Sequence, residues 1–221
     1  MPTSRSYQDA CGIARALDVV GERWALLVVR ELLLGPQRFS DLRRGLPGAS
    51  SNLVADRLRE LQGRDVVRRR KLAPPAGSWV YELTEQGREL EPIVLALGAW
   101  GLRFPLPPAP TTLSATSVLI FLRGSARPDP QAPAATYRLE LDDQVWTVRT
   151  EAGRVHVQPG EPASADASLR ADPRTLNGLL ENPDVLDAAI CDGSAAAAGD
   201  LPALGRLLRA ASSPSPAQAD S

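Results

Sequence analysis

The stretch of this chain best suited to chemistry is an arginine-rich segment at residues 36–72. It holds ten basic and four acidic side chains, although the whole chain has a formal net charge of −1. Lysine and arginine neutralise phosphates, and asparagine and arginine can each form two hydrogen bonds to one base edge. An isolated basic run is more often a solvated surface. Its meaning therefore depends on the elements around it.

Residues 50–62, SSNLVADRLRELQ, have the spacing of a helix that could present such side chains to DNA. Val54, Leu58 and Leu61 recur at i, i+4 and i+7, which predicts one inward apolar face. The side chains predicted to face the bases are Ser50, Ser51, Asn52, Ala55 and Arg59. Those predicted to meet the DNA from the flanking elements are Arg38, Ser40, Arg43, Arg69, Arg70 and Lys71.

The neighbouring elements predict a winged helix-turn-helix. RWALLVVRELLLG indicates a buried central helix ended by Gly35 and Pro36, and RFSDLRRGL indicates a short helix with Ser40 as its N-cap or in its first turn. VVRRRKL and SWVYELT are β-rich runs that predict a hairpin. TEQGRELEPIVLALGAWGLRF returns to helical spacing, and Pro92 should kink or restart that helix. A helix about 10–12 Å across fits the major groove, and a basic hairpin beside it can reach phosphates.

Other reactive groups are few. Cys11 and Cys191 do not make a disulfide framework, and Cys191 is expected on an apolar, structural helix face. His156 alternates with two valines and is expected on the solvent side of a strand. No glycine-rich phosphate loop, ligand cluster or Ser–His–acid arrangement occurs, so we expect no enzyme activity, metal or cofactor.

The motifs of residues 11–101, from CGIARALDVVGERW through LPGASSNLVADRLREL and YELTEQG to AWG, resemble the HxlR-type winged-helix regulators. The resemblance implies a homodimer on a pseudo-palindromic operator, with terminal helices at the interface. Ile93, Leu97 and Trp100 are the expected interface residues. Asp65 stands where the family usually has glycine, and aspartate tolerates left-handed backbone better than most residues. Some members use a cysteine at the position of Cys11 as a redox sensor; the alternative for Cys11 is an inert, half-buried thiol.

The second half is strand-rich and then helical, which predicts an α+β fold. SVLIFLR, TYRLELD, VWTVRT, RVHVQ and DASLR are expected strands, and SAAAAGD a further one, with turns at Asp142-Asp143 and Ala152-Gly153. DPRTLNGLLEN, PDVLDAAICDG and DLPALGRLLRA are expected helices. The fold class is thus a winged helix-turn-helix domain followed by an antiparallel sheet covered on one face by helices.

The run from VWTVRT to RLLRA resembles a sterol-carrier-protein type 2-like domain, through its Trp-bearing strand, its ADASLRAD junction and the Gly-Asp before the last helix. The resemblance implies an apolar tunnel for acyl or sterol-like molecules. Because the region before the first strand is short, the expected role is sensing of a hydrophobic small-molecule effector of DNA binding, or dimer stabilisation. A packed core without ligand is an equal alternative. Residues that would line a pocket are not identified.

Composition suggests the domain boundaries. Residues 1–104 carry a net charge of +4 and residues 105–221 a net charge of −5, so the halves should meet different partners. We expect a winged-helix and dimerisation domain at 1–104, a proline-rich linker at 105–112, an α+β domain at 113–210 and a disordered tail at 211–221. The absence of a long apolar run or a signal-peptide core predicts a cytoplasmic protein without membrane contact.

The leading interpretation is a homodimeric, sequence-specific transcriptional regulator. Two alternatives stay open. One is a lipid or small-molecule binding protein that uses the winged helix only for dimerisation, which the basic segment disfavours. The other is a regulator whose input is oxidation of Cys11.

Overall fold

The computed structural model describes residues 6–73, 77–106 and 112–211, in two compact units that divide between Thr112 and Leu113. Most of the expected linker and nearly all of the expected tail lie outside the described residues. Ala211 was expected in the tail, but it is the last residue of a helix and is buried. The two units are described separately.

The N-terminal unit has the element order of a winged helix-turn-helix. Its helices are α1 (Gly12–Val20), α2 (Ala25–Leu32), α3 (Phe39–Gly45), α4 (Ser51–Gly63), α5 (Glu85–Arg88) and α6 (Glu91–Gly101), and its strands are β1 (Val67–Lys71) and β2 (Trp79–Leu83). Pro92 lies in the first turn of α6, where its missing N–H costs nothing, so the proline restarts the helix as expected.

The apolar stripe of α4 closes the core of this unit. Val54, Leu58 and Leu61 are each at most 1% exposed and pack in one cluster with Val28 and Val29 of α2. Burying a leucine or valine side chain contributes about 1.5–3 kcal/mol, so this stripe fixes which face of α4 is left for solvent. The helical spacing read from the sequence is confirmed.

The wing is a two-stranded antiparallel hairpin held to the helices. In its register Val67 pairs with Leu83 and Lys71 pairs with Trp79. Two backbone hydrogen bonds between Gln37 and Tyr81 attach the hairpin to the chain just before α3. Asp65 adopts the left-handed conformation expected of it, with φ of 56°, at the start of the wing.

The C-terminal unit is a five-stranded sheet with helices. Its strands are β3 (Ala135–Leu141), β4 (Gln144–Glu151), β5 (Arg154–Pro159), β6 (Ala167–Ala171) and β7 (Ala195–Gly199), and its helices are α7 (Ala115–Ser125), α8 (Pro173–Glu181), α9 (Leu186–Cys191) and α10 (Leu201–Ala211). The strand order is β5-β4-β3-β6-β7. Asp142, Asp143, Ala152 and Gly153 all have positive φ, which confirms the two expected hairpin turns.

The sequence predicted a wholly antiparallel sheet, and this prediction is wrong. β3 and β6 are parallel, whereas the other neighbouring strands are antiparallel. After β5 the chain crosses to the far side of β3, and two hydrogen bonds between Asp166 and Thr136 set the starts of β6 and β3 side by side. Because this pairing joins distant residues, the alternation within each strand carries no information about it.

Two local expectations for this unit are wrong. SVLIFLR was expected as a strand but lies in α7, which Ser114 caps by accepting the Ser117 N–H at 3.1 Å. A short apolar run buried on most sides reads the same as a strand or as a helix. Cys191 is exposed at the end of α9 rather than on a buried structural face. His156 is exposed on β5 as expected.

None of the helices in the described part of the chain combines the length and apolar character that a membrane span requires.

Candidate nucleic-acid interface

The turn between α3 and α4 exposes the beginning of α4. Ser50 is the N-cap, and its Oγ accepts the Leu53 N–H at 3.3 Å. Ser51 and Asn52 therefore form the first turn of α4, and both are exposed. The first turn of such a helix carries the side chains that reach base edges when the helix lies in the major groove.

Two of the expected DNA-contacting residues contact each other. Nη1 of Arg43, in the last turn of α3, donates to Oγ of Ser51. This hydrogen bond ties the end of α3 to the beginning of α4. The bond uses one of the five N–H donors of Arg43 and one lone pair of the Ser51 hydroxyl, so both side chains keep donors for DNA.

Further along α4, Arg59 is 70% exposed and pairs with Asp56 one turn earlier, at 2.8 Å from Nη2 to Oδ1. Ala55 is only half-buried on the same surface. An exposed ion pair of this kind contributes about 0.5 kcal/mol or less, so a guanine edge can displace Asp56 from Arg59.

The beginning of α3 adds a free cation beside this surface. Arg38 is the exposed N-cap residue, and Ser40 lies in the first turn, as expected, with its Oγ 3.3 Å from Oδ1 of Asp41. Asp41 also lies 3.9 Å from Arg44, whereas Arg38 has no acidic partner among the described residues. Arg38 is thus the α3 cation best placed for a phosphate.

The four cations of β1 differ in what they contact. Nε of Arg68 and Nε of Arg70 each donate to Glu82 at 2.7 Å. Burial alone raises the pKa of the Glu82 carboxyl, but the hydrogen bonds and charges of Arg70 and Arg68 outweigh it and hold the pKa below its ordinary value. Arg70 was expected on a phosphate, and the structure gives it a carboxylate partner that the sequence reading overlooked. The alternation of β1 against β2 was the available signal.

The remaining wing cations lie on the other face of the hairpin. The Arg69 guanidinium is 4.5 Å from the Trp79 ring centre and 5.8 Å from that of Tyr81, so two aromatic rings hold it in place. Lys71 is exposed and has no acidic partner among the described residues. Arg69 and Lys71 are therefore the wing charges left for an anion.

A second uncovered surface is apolar. No residue of α6 is buried, and the expected interface residues Ile93, Leu97 and Trp100 are 56%, 46% and 53% exposed. On α1, Ile13 and Leu17 are exposed as well. Trp100 packs edge-on against Phe104, with ring centres 4.7 Å apart. We define Ile13, Leu17, Ile93, Leu97 and Trp100 as the apolar helix face.

The thiol of Cys11 is exposed at the beginning of α1. Its backbone N–H donates to Oδ1 of Asp9 at 2.8 Å, and its carbonyl accepts the Arg15 N–H. The thiol is thus accessible rather than half-buried. Among the described residues, no group of His, Cys, Asp and Glu side chains is arranged to hold a metal ion.

An exposed first turn on a core-anchored helix, with a basic hairpin beside it, defines a winged helix-turn-helix DNA-binding protein. The model of the HxlR-like helix-turn-helix family matches residues 19–107. The chain belongs to this family of transcriptional regulators, whose members are not enzymes.

The chain is similar to individual regulators over the same region. The chain is 36% identical over 86 residues to the HTH-type transcriptional regulator YvaP of Bacillus subtilis, covering 39% of this chain and 80% of YvaP. It is 33% identical over 92 residues to the HTH-type transcriptional regulator YodB of the same organism, covering 42% of this chain and 82% of YodB. A solved structure of the redox regulator HypR in its oxidized form is 33% identical, covers 44% of this chain and all of that one, and has a TM-score of 0.41. The match to the family model ends before the C-terminal unit, so the sterol-carrier resemblance stays a prediction.

Proposed function

We propose that the protein binds a pseudo-palindromic DNA operator as a homodimer, with α4 reading bases and the wing contacting phosphates. The observation that carries this proposal is the exposed first turn of α4, directly opposite the buried Val54–Leu58–Leu61 stripe. Arg38, Arg69 and Lys71 supply positive charge on either side of it. A winged helix used only for dimerisation would not need these uncovered cations.

The homodimer is supported by the apolar helix face. Three apolar side chains of α6 that are 46–56% exposed form a surface of the kind that marks protein–protein contacts. A second copy is the simplest partner, because a two-fold axis pairs α6 with an identical face. Such an axis would present two α4 helices to DNA, about 34 Å apart if they occupy successive major grooves.

The base-reading role is tested by Asn52→Ala and Arg59→Ala, measured by fluorescence anisotropy on an operator selected from a random DNA pool. We expect each variant to weaken operator binding by about 1–3 kcal/mol while random duplex binding changes little. Gln62→Ala, at an exposed position near the other end of α4, is the matched control and should leave both affinities unchanged. Equal losses on operator and random DNA would refute base reading by these residues.

A second candidate function is regulation by a hydrophobic effector in the C-terminal unit. Trp146, in β4 between Leu139 and Pro159, is 2% exposed, and its Nε1 has no hydrogen-bond partner among the residues that the structure describes. Leaving a buried donor unsatisfied costs about 1–3 kcal/mol, and an apolar ligand carrying an oxygen acceptor would remove that cost. The unsatisfied indole favours such a ligand over a fully packed core.

The effector is tested with full-length protein and dodecanoate as the probe. Dodecanoate should raise the melting temperature and change operator affinity, and Trp146→Phe, which keeps an aromatic ring but lacks the N–H, should respond less. Binding can change DNA affinity only if the ligand favours one arrangement of the DNA-binding helices. If neither protein responds, the effector proposal fails while the DNA-binding proposal stands.

Oxidation of Cys11 is the alternative input, and the exposure of the thiol supports it. Operator affinity should then change with diamide in the wild type and not in Cys11→Ser. An identical diamide response in both proteins would exclude Cys11 as the input.

A further inference from the structure

The loop of residues 21–24 between α1 and α2 contacts the helix-turn-helix at two separate places, although the sequence marks it only as a connection. We call Gly21, Glu22, Arg23 and Trp24 the α1–α2 loop. It directly follows α1, which carries part of the apolar helix face. The loop therefore joins the helix-turn-helix to a helix that carries part of the proposed dimer interface.

The first part of this loop is tightly constrained. The Gly21 N–H donates to the Leu17 carbonyl at 2.8 Å, ending α1. A Cβ on Gly21 would lie 2.4 Å from that same oxygen, so only glycine permits this close approach. This close approach restricts the backbone conformation at the junction between α1 and the loop.

Trp24 makes the first contact with the helix-turn-helix. Its φ is 79°, a left-handed conformation that is unfavourable for a bulky side chain and persists only where the surroundings impose it. The far edge of its indole lies against Gly48, in the turn between α3 and α4. A Cβ on Gly48 would be 2.8 Å from Cη2 of Trp24. The ring and the turn are therefore fitted to each other with no room for a methyl group.

Glu22 makes the second contact, on α4 itself. Its Oε2 is 3.5 Å from Nη1 of Arg57, whose side chain is only 12% exposed and which also pairs with Glu60. Arg57 is two turns from the beginning of α4. Trp24 thus holds the turn that precedes α4, and Glu22 holds its middle. Two contacts separated along a helix determine its direction, which a single contact does not.

We infer that Glu22 and Trp24 are positioning residues for DNA recognition, which set the direction of α4 relative to α1 and thereby the operator half-site spacing that the dimer accepts. This inference rests on the proposed homodimer. Neither residue needs to touch DNA. The consequence that distinguishes positioning from ordinary packing is a change in spacing preference, because a loss of packing alone lowers the amount of folded protein and affects all DNA equally.

The test measures the affinity of full-length protein for duplexes whose two half-sites are separated by distances stepped through about one helical turn, roughly 10 base pairs. A duplex with a single half-site provides the reference. For the wild type we expect one preferred spacing, with affinity falling about tenfold when the half-sites are shifted by a few base pairs. Glu22→Gln, at a side chain 64% exposed, should reduce this contrast about threefold with single-half-site affinity within about twofold of the wild type.

The contact between Trp24 and Gly48 is tested by a double-variant cycle. Gly48→Ala should flatten or shift the spacing profile, because its Cβ displaces the indole or the turn. Trp24→Phe lacks the ring atoms that this Cβ would meet, so Gly48→Ala combined with Trp24→Phe should match Trp24→Phe alone. Gln62→Ala serves as the control and should keep the wild-type profile. Melting curves recorded for every variant identify any that fails to fold. Glu22→Gln is the variant expected to disturb folding least.

The outcomes separate the two levels of the proposal. If the wild type prefers one spacing and Glu22→Gln and Gly48→Ala keep the same profile, the positioning role is wrong and the homodimer stands. If the wild type itself has no spacing preference, the homodimeric operator complex is wrong and the positioning role fails with it.

Discussion

The two units of this protein handle apolar surface in opposite ways. Of the thirteen large apolar residues exposed among those described, eleven lie in the N-terminal unit and only Val185 and Leu201 in the C-terminal unit. Helix α10 buries six of its eleven residues, whereas α6, of equal length, buries none. Helix α10 packs its apolar residues inside its own unit. The exposed apolar side chains of α6 are typical of a surface that binds a partner. The difference is the main argument for assembly through the N-terminal unit.

The units also differ in net charge, and individual cations differ in what they contact. On the sheet of the C-terminal unit, hydrogen bonds from Arg138 to Glu161 and Glu140 raise the pKa of the guanidinium above its ordinary value. In the N-terminal unit, Arg38 and Lys71 have no acidic partner among the described residues. Residues 1–104 carry a net charge of +4 and residues 105–221 a net charge of −5, so the phosphate contacts are expected from the N-terminal unit.

The largest expected effect is on assembly. Leu97→Asp combined with Trp100→Ala should weaken the dimer by about 4 kcal/mol, roughly a thousandfold, because buried aromatic and apolar anchors dominate interface energies. Sedimentation equilibrium at micromolar concentration measures it. Val185→Asp, at the exposed apolar residue of the C-terminal unit, is the control and should remain dimeric. If the protein with Leu97→Asp and Trp100→Ala stays dimeric and Val185→Asp dissociates, the dimer forms through the C-terminal unit instead.

The closed core of the C-terminal unit should be costly to open. Leu139 is 1% exposed in β3, and Leu139→Ala should destabilise this unit by about 2–5 kcal/mol. The measurement is urea unfolding followed through the fluorescence of Trp146, which lies in β4 and pairs with Leu139. Operator affinity of the folded variant should stay at the wild-type value. A loss of less than about 1 kcal/mol would mean that this core is loosely packed.

Glu82 pairs with two cations of the wing, and this pairing gives the stability of the N-terminal unit a pH dependence. Because its folded pKa lies below the ordinary value of 4.5, the pair with Arg68 and Arg70 stabilises the fold above that pH and is lost as the pH falls through the lowered folded pKa. Glu82→Gln should cost about 1 kcal/mol at neutral pH, and its difference from the wild type should shrink below about pH 4.5. Thermal unfolding of both proteins, measured from neutral pH to below this value, tests the expected change in their stability difference. A difference that is constant with pH would show that the charge of Glu82 is unimportant.

The smallest effect separates free from paired cations. Lys71→Ala should reduce the slope of log affinity against log salt by about one and weaken DNA binding a few-fold, since one phosphate contact is lost. Arg138→Ala removes an equal charge from the C-terminal unit and should leave the slope unaltered. If the two variants give equal slopes, Lys71 of the wing and Arg138 of the sheet do not differ in phosphate contact.

Much of the candidate site follows from local patterns. The spacing of Val54, Leu58 and Leu61 predicted which face of α4 is left exposed, and the β-rich runs VVRRRKL and SWVYELT predicted the wing. These signals are local because helix and strand periodicity act over a few residues. The pairing of Arg70 with Glu82 had a signal in the alternation of the two strands, whereas the contact between Arg43 and Ser51 joins separate helices and left none.

The sequence by itself determined the order of the elements in the winged helix-turn-helix, the first turn of α4 after Ser50, and the restart of a helix at Pro92. Capping, proline geometry and hydrophobic periodicity decide these features within a few residues. Only the tertiary structure decided that 117–123 is helical, that β3 and β6 run parallel, and that the indole of Trp24 lies against Gly48. Each of these depends on residues distant in the chain packing together, because burial and close approach are properties of the folded chain rather than of any local segment.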